Sequence, residues 1–176
     1  MSETTFKRDA KSSQESGGLR SVPAFLMVLA MASSAWGEEA YFPDPKHTPG
    51  AVNPDVTPDN IQQTICLPGW VEKIQPPASY TDRLKAKQIK ALHLKGAPTA
   101  YRLDHLIPLC VGGHPTDPRN LWPQRAEGDW NYKVKDQLEQ PVCAAVCRGE
   151  MTLQEGQAVF VEPDWRKAYM KMYHVE

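Results

Sequence analysis

The sequence predicts an α+β protein. Two short strand-like runs, YRLDHLIPL and LWPQ, lie mid-chain with a glycine-containing loop between them. Helical spacing of apolar residues flanks them on both sides, and strands grouped between helices define this class. Four cysteines in a chain with an export-like leader add the expectation of disulfide staples. The 176 residues hold one domain plus attached segments. At 41% hydrophobic and 23% charged the composition is that of an ordinary globular protein, without repeats or low-complexity tracts.

The N-terminus is expected to lie outside the domain. Lys7, Arg8, Lys11 and Arg20 precede an apolar run from Val22 to Ala32, followed by ASSAWG. Spanning a bilayer takes about 20 apolar residues, so this run is too short. Basic residues, a short apolar core and small residues around Trp36 read as a secretory signal peptide over 1–37, placing the mature protein outside the cytoplasm or in the periplasm with no stable membrane anchor. Its removal takes away four basic and three acidic residues and moves the formal net charge from −1 to −2. No global basic field therefore advertises nucleic-acid binding, and contact with a polyanion has to come from a local cluster.

Residues 38–56 are a proline-rich extended arm, and 57–176 form the domain, with 100–140 at its centre. Thr57-Pro58 signals the start of a short helix that delivers Cys66. WVEKI reads as a short strand before Pro76-Pro77. Ser79 with Asp82 suggests a capping box opening a lysine-rich helix over roughly 80–94. Gly96 and Pro98 stop it, and a strand follows from Tyr101 to Leu109. After LWPQ, the spacing of Trp130, Val134 and Leu138 predicts a helix that Pro141 kinks or ends. Thr152 with Glu155 caps another helix, and Asp164 caps the last. The cysteines at 66, 110, 143 and 147 favour disulfides over zinc, because only Cys143 and Cys147 have ligand spacing and no second pair answers them.

Asp104 and His105 stand side by side within an apolar run, where burying either is costly. Alternation along a strand sends neighbours to opposite faces, so they share a site only where the strand bends or ends. Asn120 opens the second strand, Asn131 begins the following helix, and Lys135 lies one turn further on the same face. A strand-borne carboxylate and a helix-borne amide can meet on one hard cation. Two oxygen ligands suit Mg²⁺, with Mn²⁺ as the alternative, since Mg²⁺ keeps waters and takes phosphate oxygens. His105 is then placed to deprotonate a water near neutral pH. Arg119, Arg125, Lys133 and Lys135 are the candidates for local positive charge toward a nucleic-acid substrate. His114, in the loop, is read as an exposed residue close to the site.

The elements DHLIPL, GG, NLWPQ, WN and K, in that order, resemble the HNH endonuclease family, the ββα-metal finger, and especially its small exported bacterial members. The resemblance is strongest over 101–139. It implies His105 as general base, Asp104 and Asn131 as metal ligands, and Asn120 as the residue that braces the loop and orients the histidine. Asparagine at 131 departs from the commoner histidine, and the zinc knuckle of many members is absent. The same resemblance implies that Cys66 pairs with Cys147 and Cys110 with Cys143. It implies a monomeric, metal-dependent nuclease with little sequence preference. A non-catalytic module on the same scaffold, grasping a polyanion or an envelope component, is the alternative, since a fold hosts many functions.

Overall fold

Two strands, β1 (Tyr101–His105) and β2 (Leu121–Arg125), pair antiparallel, with Tyr101 opposite Arg125 and His105 opposite Leu121. They belong to a computed structural model that describes residues 42–161 and 164–175, all in one compact unit. The expected leader, 1–37, and the first residues of the arm lie outside the described residues. The helices are α1 (Trp70–Ile74), α2 (Ala78–Ala91), α3 (Tyr132–Cys147), α4 (Leu153–Val161) and α5 (Trp165–Tyr173). The class is α+β, as expected, with the hairpin packed on α2.

The register sorts the hairpin's side chains into two faces. Tyr101, Leu103 and His105 share a face with Leu121, Pro123 and Arg125. α2 is tied to the hairpin, as Gln88 Nε2 donates to the Leu121 carbonyl at 2.7 Å. Arg102, Asp104, Trp122 and Gln124 share the other face, where α3 supplies their partners. Trp122 joins Leu138, Val142 and Val146 of α3, Phe160 of α4 and Trp165 of α5 in the hydrophobic core.

Four elements differ from the sequence reading. WVEKI forms α1, because the left-handed Gly69 (φ 81°) turns the chain into a single helical stretch before Pro76. The segment before Cys66 forms only one 3₁₀ turn, Ile61–Gln63. α2 starts at Ala78 behind Pro77 with no side-chain cap, so Ser79 and Asp82 do not form a capping box. β1 ends at His105, four residues early, and Leu109–Val111 turn as a 3₁₀ helix.

Pro141 neither ends nor interrupts α3. A proline has no N–H for the carbonyl four residues back, here that of Gln137. The Tyr173 hydroxyl of α5 donates to that carbonyl at 2.9 Å and fills the vacancy. The caps of α4 and α5 are as expected: Thr152 and Glu155 bond reciprocally, and Asp164 accepts from the Arg166 N–H at 2.8 Å. A Cβ on Gly156 would stand 2.6 Å from Val146, so glycine lets α4 approach α3 closely.

Both expected disulfides are present, Cys66–Cys147 and Cys110–Cys143, with Cα–Cα distances of 5.5 and 5.6 Å. No cysteine is left free as a thiolate for a metal. Since Cys143 and Cys147 lie one turn apart on α3, that helix anchors both the turn after β1 and the segment before α1. The arm is also bound: Gly50 N donates to Arg119 O at 3.0 Å, Asn53 N to Gly112 O at 2.8 Å, and Val52 bridges Gly113. Val56 enters the core. No helix among the described residues is long and apolar enough to cross a membrane.

Candidate functional site

The loop joining β1 to β2 is held by Asn120, which is fully buried. Its Oδ1 accepts from Ile107 N at 2.9 Å, and its Nδ2 donates to Ile107 O at 2.9 Å and His114 O at 3.1 Å. Every polar atom of the amide is used on backbone, which fixes the two ends of the loop together. Gly113 is required there, because a Cβ would fall 1.8 Å from the Ile107 carbonyl oxygen. Asn120 therefore braces the loop.

His105 ends β1, and its Nε2 lies 3.0 Å from the Pro115 carbonyl. A carbonyl only accepts, so Nε2 carries the proton and Nδ1 presents a lone pair. Nδ1 makes no hydrogen bond to any described residue. Burial holds the imidazole below its ordinary value of 6.5, with the Pro115 bond and the Asp104 charge opposing. It is neutral at pH 7 and able to accept a proton. Because Asn120 pins His114 and His105 bonds Pro115, the asparagine acts on the histidine through the loop.

Asp104 points to the opposite face and is buried. Its Oδ2 lies 3.0 Å from Lys135 Nζ. The contact is ionic without the angles of a hydrogen bond, so Oδ2 is buried with no hydrogen-bond donor. Lys135 is itself fully buried. Its Nζ also donates to the His105 carbonyl at 2.7 Å and to Glu139 Oε1 at 2.5 Å. Burial pulls the ammonium down, but the Asp104 and Glu139 charges outweigh it and hold Lys135 above its usual value. Burial raises the carboxyls of Glu139 and Asp136, against the pull of Lys135 at the first and Arg102 at the second. Lys135 thus serves as an internal counter-ion. Expected to meet substrate, it has no path to one.

Asn131 also departs from expectation. It caps α3, with Oδ1 accepting from Lys133 N at 2.8 Å and Nδ2 donating to Gly128 O. Both ends of its amide are taken by backbone. The oxygens that do gather at Asp104 come from Asp136 and Glu139, one atom of each of the three lying within 4.8 Å of the others. These three could hold a cation. An all-oxygen donor set fits a hard ion such as Mg²⁺ or Mn²⁺. Lys135 already neutralises part of the charge, so such an ion would share the carboxylates with it. The signal for Asp136 and Glu139 was present in KDQLE: they stand three residues apart on the helix, beside the lysine already placed on that face.

Of the remaining candidates, Arg119 is 69% exposed and paired with Asp117 at 2.6 Å. Arg125 lies over the Tyr101 ring, 5.5 Å from its centroid, and Lys133 is exposed on the first turn of α3. They sit on the loop, the end of β2 and the helix, and do not form one cluster of side-chain contacts. The chain matches no model of a known protein family, no curated protein and no solved structure.

Proposed function

We propose that the protein is an exported, metal-dependent nuclease that hydrolyses phosphodiester bonds of DNA or RNA with little sequence preference. One observation carries this reading. His105 is neutral, its Nε2 is held by the Pro115 carbonyl, and its Nδ1 is a fixed acceptor that no described residue uses. A positioned base of lowered basicity is what removal of a proton from attacking water requires at neutral pH. Asn120 keeps the loop from shifting as the proton moves to Nδ1. Asp104, with Asp136 and Glu139, would hold the divalent ion, which when bound stabilises negative charge on the phosphate and the leaving oxygen. Lys135 limits the repulsion among these carboxylates. The two disulfides support an oxidising compartment, the periplasm or the exterior.

A second reading is favoured by the Lys135–Asp104 contact. An ammonium that already serves the carboxylate also suits a non-catalytic module that binds a polyanion or envelope component on the same scaffold. Plasmid-nicking and RNA-cleavage assays on the protein lacking residues 1–37 decide between them. Cleavage is expected with Mg²⁺ or Mn²⁺ and not with chelator, and His105→Ala should lower the rate roughly 10²–10⁴-fold. If the wild type cuts neither nucleic acid with Mg²⁺, Mn²⁺ or Ca²⁺, the binding module takes the place of the enzyme.

A further inference from the structure

The loop carries a second imidazole. His114 Nδ1 accepts the backbone N–H of Thr116 at 3.2 Å and that of Asp117 at 2.9 Å. A nitrogen that accepts carries no proton, so in the neutral ring the proton sits on Nε2. Nε2–H bonds to no described residue, and the residue is half-buried. Its backbone is clamped on both sides: His114 N donates to Ala51 O at 2.8 Å, and His114 O accepts from Asn120 Nδ2 at 3.1 Å. The next carbonyl along, that of Pro115, holds His105. Two imidazoles are thus fixed by one braced stretch, His105 with a free acceptor and His114 with a free donor.

Arg119 belongs to the same assembly. Its Nε and Nη2 donate to the carboxylate of Asp117, the residue whose own N–H enters His114. Nη1 makes no bond to a described residue. Fixing a guanidinium in this way lowers the entropy lost when it binds an anion.

We propose that His114 Nε2–H and the Arg119 guanidinium form a pre-set donor pair for the non-bridging oxygens of a nucleic-acid phosphodiester, presenting the strand to His105. The assignment rests on the nuclease reading for what happens to that phosphate, but binding can be measured without turnover. The test uses fluorescence anisotropy of labelled DNA and RNA oligonucleotides with the full mature chain in EDTA, at several salt concentrations. His114→Asn keeps an acceptor where Nδ1 stands and deletes the outer donor. It should weaken binding about tenfold, the worth of a hydrogen bond to a charged group, at unchanged melting temperature. His114→Gln restores an outer N–H but loses the loop acceptor, so it should melt lower yet bind within about threefold of wild type. Arg119→Ala should reduce the slope of log affinity against log salt by about one. Excess inorganic phosphate should compete only at high concentration if a strand is the ligand. The proposal is overturned if His114→Asn alters neither binding in EDTA nor KM in Mg²⁺. Cleavage with an indifferent His114→Asn sinks this pair and leaves the nuclease reading standing. Binding that depends on His114 without any cleavage does the reverse.

Discussion

Lys135 is the residue on which the site's electrostatics turn. Its ammonium is fully buried among Asp104, Glu139 and the His105 carbonyl, so its removal would leave carboxylates facing one another in a poorly solvated interior. Lys135→Met should cost about 3–5 kcal/mol in urea unfolding, the usual penalty for breaking a buried pair from one side. Adding Glu139→Gln should recover part of that loss, and equal stability of the single variant and wild type would show the network to be idle. His105 makes a prediction in pH. Its folded-state value lies below 6.5, so between that value and 6.5 the unfolded chain binds the extra proton. Its contribution to stability is complete above pH 6.5 and is lost as pH falls through the folded value. On the nuclease reading, the acid limb of kcat/KM should likewise lie below pH 6.5, because His105 can act as base only when neutral. A limb above pH 7 would assign the base to another group. Asp104 and His105 were legible in the sequence as a pair in need of partners, since two polar residues in an apolar run need a reason. That Asn131 spends its amide on capping α3 was not legible, because a cap and a ligand position look alike until the backbone N–H beside them is placed.

At the scale of elements, the disulfides can be ranked. Each should contribute about 2–4 kcal/mol, and the Cys66–Cys147 bridge should exceed Cys110–Cys143 by about 0.8 kcal/mol on loop length alone, with separations of 81 and 33 residues. Paired serine variants followed by denaturant titration measure both, and the reverse order would point to strain or residual structure in the unfolded chain. The proline in α3 offers a second comparison. Tyr173→Phe leaves the Gln137 carbonyl to water and should cost about 0.5–1.5 kcal/mol, while in a Pro141→Ala background, where the helix supplies its own donor, the same change should cost less. The two strands, α3 to α5 and the caps of α4 and α5 were readable because apolar period and capping chemistry agree there. α1 was not: Trp, Val and Ile carry strand propensity, and five residues are too few for a helical period to declare itself. The early end of β1 was hidden for a similar reason, since LIPL continues the apolar run while the backbone turns to meet Asn120.

For the molecule as a whole, the internal ammonium has a consequence for metal dependence. Lys135 offsets part of the charge of the acidic cluster without a divalent ion, and the staples are covalent. On the nuclease reading, chelation should therefore abolish cleavage while the protein stays folded, its melting temperature falling only by the small amount that loss of a weakly bound ion entails; unfolding in EDTA would show the ion to be structural. The arm has a different consequence. Residues 50–53 brace the loop that bears His114, and Cys66 must find a partner 81 residues further along. Synthesis delivers these pieces in sequence order, with the brace first, the loop later and the anchoring cysteine last. A chain that folds as it is made thus carries no finished loop at first, and the loop is complete only once α3 has followed it.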